Sequence, residues 1–97
     1  MADSEVSVQS VNHDPVARRF LLVVDGHEAV VDYEHRDGTM VITHTVVPQA
    51  IGGRGIAGVL VRAALEHARG QGMKVVPQCS YAEAFMRRHG EYTDLLG

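Results

Sequence analysis

The sequence predicts an α/β (α+β) fold: an antiparallel meander leading into a β-α-β unit with two parallel strands, then a short C-terminal helix. Three strand-like runs rich in Val, Ile, Tyr and Thr, Arg18 to Val24, His27 to Glu34 and Thr39 to Val47, are separated by Asp25-Gly26 and Asp37-Gly38. Those dipeptides suit two-residue hairpins, whose central positions need positive φ. A helical apolar period then runs from about Arg54 to Arg69. Between the last run and this helix, Gly52, Gly53, Gly55 and Gly58 place four glycines within seven residues.

Taken in order, Met1 to Asn12 alternates loosely at Val6, Val8 and Val11, as either an edge strand or a frayed terminus. If both turns hold only Asp-Gly, paired positions sum to 51 across the first and 75 across the second. One face then carries the rows Phe20, Val31, His44 and Leu22, Ala29, Val46. The other carries Arg19, Asp32, Thr43 and Leu21, Val30, Thr45. The first face is predicted to lie under the helix, because only His44 interrupts its apolar rows. Leu21, Val23, Val30 and Val41 leave an apolar patch on the second, which either the C-terminal segment or a second copy in a homodimer is expected to cover.

The helix turns Ile56, Val59, Leu60, Ala63, Ala64 and Ala68 inward and Arg62, Glu66 and Arg69 outward, and Gly70 and Gly72 end it. Lys74 to Gln78 is a short strand, parallel to the Thr39 to Val47 run by a right-handed crossover. Tyr81 to His89 forms a second helix with Ala82, Phe85 and Met86 inward, and Glu91 to Leu96 closes as a turn or single helical turn.

At 97 residues the chain is read as one domain, 1–97. A formal charge of -3 argues against sequence-independent nucleic-acid binding, which needs a concentrated basic surface. The longest apolar run, Phe20 to Val24, is far too short to span a bilayer, so no membrane partner is expected. No secretory pattern opens the chain, and the one cysteine, Cys79, has no internal partner, so a cytoplasmic protein is expected.

The glycine turn carries the chemistry. Successive glycine amides can approach a ligand with no Cβ in the way, and the helix that follows turns its unpaired first-turn amides and positive dipole end into the same space. Both point to an anion, most simply a phosphate, with Arg54 as a fixed positive charge. Gly53, Gly55 and Gly58 satisfy G-x-G-x-x-G, but about 20 positions on stand Val76, Pro77, Gln78 and Cys79, without the acid a dinucleotide fold uses. No G-K-[ST] follows, so a Walker loop fails. The pattern R/Q-x-x-G-x-G/A fits Gly52-Gly53-Arg54-Gly55-Ile56-Ala57, except that Gly52 replaces the Gln or Arg. This resembles the acyl-CoA pyrophosphate loop of the GNAT superfamily of N-acetyltransferases.

Further stretches resemble one branch of that superfamily, the small single-domain, YjdJ-type GNAT-like proteins. They are Arg19-Phe20 through Val24-Asp25-Gly26 with Tyr33, Thr43-His44-Thr45-Val46-Val47-Pro48, Pro77-Gln78-Cys79-Ser80-Tyr81, and His89-Gly90-Glu91-Tyr92-Thr93-Asp94-Leu95-Leu96. The branch usually has H-P-E-Y where this chain has Gly90. The resemblance implies a minimal GNAT fold whose two central parallel strands splay apart to admit the pantetheine arm, and Pro77, lacking an N–H, suits a strand that stops pairing. It implies acetyl-CoA as co-substrate and an amine acceptor of unidentified structure. No stretch of the sequence reads as the helices and C-terminal strands that form the acceptor side in larger relatives, so the resemblance implies no acceptor pocket.

On that resemblance Gly52, Gly53, Arg54, Gly55, Ile56, Ala57 and Gly58 hold the pyrophosphate, strand amides at Val46 and Val47 face the thioester, and Tyr81 adjoins the cofactor. Cys79 is a candidate acyl acceptor and His44 its general base. Against these stand a small inert buried thiol and a neutral core histidine. Tyr81 and Tyr92 are candidate proton donors or packing residues. Arg87-Arg88 is a solvated helix end or a contact for the 3′-phosphate. His13, His27, His35, His67 and His89 show no ligand spacing, so no metal site is expected. Two functions remain: an acyl-CoA-dependent acetyltransferase, and a CoA-binding module without turnover.

Overall fold

Both Asp-Gly turns close as hairpins, with Asp25 and Gly26 at φ 50 and 77 and Asp37 and Gly38 at φ 50 and 78. Positive φ at both central residues matches the right-handed twist of the strands they join. The computed structural model describes residues 7–97, so Val6 lies outside the described residues. Five strands form one sheet in chain order: β1 (Asn12–Asp14), β2 (Arg19–Val24), β3 (His27–Arg36), β4 (Thr39–Val46) and β5 (Lys74–Pro77). Only β4 and β5 run parallel, joined by helix α1 (Ile56–Gly70). Helix α2 (Ser80–Arg88) follows, then a 3₁₀ segment, Gly90–Leu95. The N-terminal alternation yields a 3₁₀ turn, Val8–Ser10, and the short β1, with Val8 and Val11 packed against the core.

The register of β2 on β3 is the expected one, from Arg19 opposite Asp32 to Val24 opposite His27. Across the second hairpin it holds from Arg36–Thr39 to Tyr33–Ile42 and then shifts by one residue at a bulge between Asp32 and Tyr33. Thr43 is the extra residue, and its hydroxyl donates to the Asp32 carbonyl at 3.2 Å. The predicted rows are corrected accordingly. Asp32 faces His44, Val31 faces Thr45, and Val30 faces Val46. His44, placed by simple alternation on the apolar face, is exposed, and Thr45 takes the core side instead.

The parallel ladder is short. It pairs Thr39 to Ile42 with Lys74 to Pro77 and ends there, while β4 continues to Val46. The amides of Gln78 and Cys79 both turn back onto the Ile42 carbonyl, at 2.9 and 3.1 Å. This is the splay that the resemblance implied.

Helix α1 begins at Ile56 rather than near Arg54 because Gly55 sits at φ 76, outside helical space. It buries Ile56, Leu60, Ala63, Ala64 and Ala68 as predicted, and Val61 and Leu65 as well. A one-sided pattern misses the last two because α1 packs against the sheet on one side and against α2 and the C-terminal segment on another. Arg62, Glu66 and Arg69, predicted to be solvated, hold that segment: Arg62 donates to Glu91 at 3.1 Å and to the Tyr92 hydroxyl at 3.0 Å, Tyr92 donates to Glu66 at 2.5 Å, and Arg69 forks onto Asp94 at 2.9 and 3.1 Å. The chain ends on the outer edge of β5, where Leu96 bridges Val75. The C-terminal segment therefore lies beside α1, and Val23 and Val46 on the opposite sheet face stay 56% and 53% exposed.

Leu60 is fully buried at the centre of this packing. Leu60→Ala is expected to cost about 2–5 kcal/mol in urea unfolding, with the denaturant slope little changed.

Candidate functional site

The site begins where β4 leaves the sheet. Val47 packs against the core, and a 3₁₀ turn, Gln49–Ile51, drives the fully buried Ile51 beneath the loop as an anchor. The chain then crosses Gly52, Gly53, Arg54 and Gly55. Gly53 and Gly55 sit at φ 77 and 76, and no atom lies within 4 Å of where a Cβ would stand on either. Side chains there would be strained and would fill this open space; glycine leaves backbone alone facing it. Among the described residues, the amides from Gly53 to Gly58 have no backbone acceptor, and the first α1 bond runs from Val59 to the Gly55 carbonyl at 3.2 Å. These are the free donors of a helix N-terminus, extended backwards by the turn.

Arg54 does not stand alone as the expected cation. Its guanidinium donates to Asp25 at 2.7 Å, tying the glycine turn to the β2–β3 hairpin. Gly58 lies one turn further on, and a Cβ there would come within 3.3 Å of the Tyr81 hydroxyl. The missing side chain lets half-buried Tyr81 lie across the start of α1. Tyr92, the other candidate proton donor, is buried and committed to Glu66 and Arg62. Burial, and then the Glu66 carboxylate, push its phenol above the ordinary range.

Cys79 occupies the tip of the splay. Its sulfur caps α2 by accepting from the Ala82 amide at 3.3 Å, and lies 3.2 Å from the Thr45 hydroxyl. The thiol is free and half-buried. The bulge at Thr43 thus brings Thr45 to Cys79 on the core side of β4 and turns His44 outward on the other side. Thr45 is the candidate site residue that sequence reasoning missed; a strict two-residue period put it on the wrong face.

A sheet whose parallel pair opens at one end, with a glycine turn and a helix N-terminus at the mouth, is the layout of an acyl-CoA-dependent N-acetyltransferase. A family model described as GCN5-related N-acetyl-transferase matches residues 19–95. The chain is 33% identical over 91 residues to Protein NATD1 of Danio rerio, covering 89% of this chain and 83% of that one. To Protein NATD1 of Homo sapiens it is 35% identical over 82 residues, covering 81% and 73%. The solution structure of a GCN5-like protein from Staphylococcus aureus superposes with a TM-score of 0.72 at 26% identity, covering 97% of this chain and 90% of that one. The chain belongs to the GCN5-related N-acetyltransferase family, whose members transfer acetyl groups from acyl-CoA.

The fold also gathers histidines that the sequence left unconnected. His13 stacks on Phe20 with ring centroids 4.1 Å apart, meets His67 edge-on at 4.4 Å, and shares a 2.6 Å hydrogen bond with the Tyr33 hydroxyl. Among the described residues no group of three His, Cys, Asp or Glu side chains is placed to hold a metal. Burial, and then the neighbouring His67, lower the affinity of His13 for a proton, against a weaker opposing pull from Asp14. The native state therefore favours the neutral ring, and the unfolded chain binds the proton more readily. Stability is expected to be full above the ordinary imidazole range and to fall as the pH drops through it. Urea unfolding across that range checks this, and His13→Gln is expected to flatten the acid limb.

Proposed function

We propose that this protein transfers the acetyl group of acetyl-CoA to an amine, holding the CoA pyrophosphate on the amides between Gly53 and Gly58. The observation that carries this reading is the run of unpaired amides over open space at Gly53 and Gly55, set at the end of β4 where its parallel neighbour has stopped pairing. The donor set fits a diphosphate diester: backbone N–H groups, a helix N-terminus, and no carboxylate among the turn's own residues, the Asp25 carboxylate being paired with Arg54. The unaccompanied end of β4, through Val46 and Val47, then offers backbone donors for the pantetheine arm and the thioester carbonyl.

Cys79 is the group we assign to the acyl carbon. Its sulfur attacks the thioester carbonyl, the bond to the CoA sulfur breaks, and CoA leaves with the proton that the cysteine gives up. An amine then attacks the new protein thioester, losing its proton as Cys79 recovers one. The Ala82 amide already points at the sulfur, so charge developing there meets a donor. Thr45, at 3.2 Å, orients the thiol. Free cysteine chemistry of this kind suits a reducing compartment such as the cytoplasm.

Two measurements test this. Gly55→Asp sets a carboxylate in the turn and is expected to weaken CoA binding by calorimetry by at least about tenfold, in a protein whose melting curve remains cooperative. Unchanged affinity in a folded variant removes the turn from the site. Incubation with acetyl-CoA is expected to add one acetyl group to the peptide containing Cys79, absent in Cys79→Ala and slowed in Thr45→Val. Full transfer to amines by Cys79→Ala, with no adduct in the native protein, establishes direct attack by the amine instead. CoA binding without thiol release toward any amine leaves a binding module.

A further inference from the structure

A cavity of about 440 Å³ lies at the end of the sheet away from the glycine turn. It opens between the β3–β4 turn at Gly38 and the α1–β5 connection at Gly72, where the parallel strands begin. The glycine turn follows the far end of β4. The volume falls within the usual span for small-molecule sites, roughly 300–1,000 Å³. Its polar lining is His13, Arg18, Tyr33, His35, His67 and Gln71, over the apolar side chains of Met40 and Met73. No carboxylate lines it.

The charges around this cavity are unbalanced. Among the described residues Arg18 and His35 have no ion-pair or hydrogen-bonded side-chain partner. Asp14, the nearest acid from β1, spends one oxygen on the Val16 and Ala17 amides, both at 3.1 Å. The C-terminal end of α1 normally repels anions through its free carbonyls. Here the Gln71 amide reaches the His67 and Ala68 carbonyls at 3.0 and 3.2 Å, and the Met73 amide reaches Ala68 at 2.9 Å. With those carbonyls engaged, side-chain donors dominate the space.

We propose that this cavity binds a small organic anion, its carboxylate or phosphate group against Arg18, His13 and His67 and its apolar body on Met40 and Met73. The groups facing His13 are Asp14 on its own strand, Arg18 from the connection, Tyr33 on β3 and His67 on α1, with apolar Phe20 on β2. Apart from Asp14, none supplies a negative charge. A bound anion would compensate for protonation of His13, so binding tightens as the pH falls through the imidazole range and offsets the acid instability that His13 imposes. The site is independent of the glycine turn and of Cys79.

The test is a titration of the whole chain with succinate and, separately, inorganic phosphate, following the His13 and His67 ring resonances by NMR at neutral and mildly acid pH. Saturable shifts on both rings are expected, stronger at the lower pH, with the affinity reduced about tenfold in Arg18→Gln and in His67→Gln, since each removes one charge-assisted contact. Whichever probe saturates at lower concentration identifies the head group. Arg18 is exposed, and the amide spectrum verifies that both variants stay folded. Shifts that fail to saturate with either probe, or an affinity unchanged in either variant, overturn the proposal.

Discussion

One carbonyl sets the geometry of the site. The oxygen of Ile42 accepts from both Gln78 and Cys79, so the chain leaving β5 folds back on the last paired position instead of continuing alongside β4. Pro77, opposite Ile42, has no N–H with which to extend the ladder. Beyond this point β4 runs on with one edge unclaimed by β5, and backbone polar groups ordinarily find partners. The same fold-back puts Cys79 at the first turn of α2, where its sulfur takes the Ala82 amide. A strand edge, a thiol and two helix N-termini are thus gathered at one end of the sheet by a single shared acceptor.

What the site needs next is a floor, and α1 supplies it with little material. This chain clamps α1 between the sheet and the segment Gly90–Leu95. The clamp is Tyr92, buried at 1% exposure, with Arg62 and Arg69 over its ring at 5.5 and 5.6 Å. The exposed ion pairs beside it, Arg62–Glu91 and Arg69–Asp94, are individually worth little. Buried ring area does most of the work, and the guanidinium stems add to it. Arg62 is therefore better understood as a half-buried packing residue that carries a charge, while Arg69 stays exposed as predicted and only lays its guanidinium over the ring.

Much of this was legible in the sequence because it follows from short-range rules. The Asp-Gly pairs fixed two hairpins and the β2–β3 register without reference to anything distant. The glycine turn and helix start were visible as spacing. The bulge was not, since Thr43 differs from its neighbours in no way that alternation detects, and its hydrogen bond to the Asp32 carbonyl exists only once β3 is in place. That one residue reverses the faces of everything after it on β4, so Thr45 rather than His44 meets Cys79. The Arg54–Asp25 pair and the contact of His13 with His67 were hidden for the same reason: residues 29 and 54 positions apart meet only in the folded chain.

The two ends of α1 show how differently one helix can present itself. At Ile56 its first-turn amides are unpaired and open onto the glycine turn, so the positive dipole end is available to a ligand. At Gly70 the following residues curl back, and the amides of Gln71, Gly72 and Met73 occupy the carbonyls of His67, Ala68 and Arg69. A capped C-terminus contributes little field of its own. Electrostatics at that end consequently belong to side chains: the fixed charge of Arg18 and the His13 imidazole, which changes charge with pH. At the glycine end they belong to backbone, which does not. Among the described residues, the donors at one end of α1 are thus fixed by main-chain geometry, while at the other the charge depends on whether His13 holds a proton.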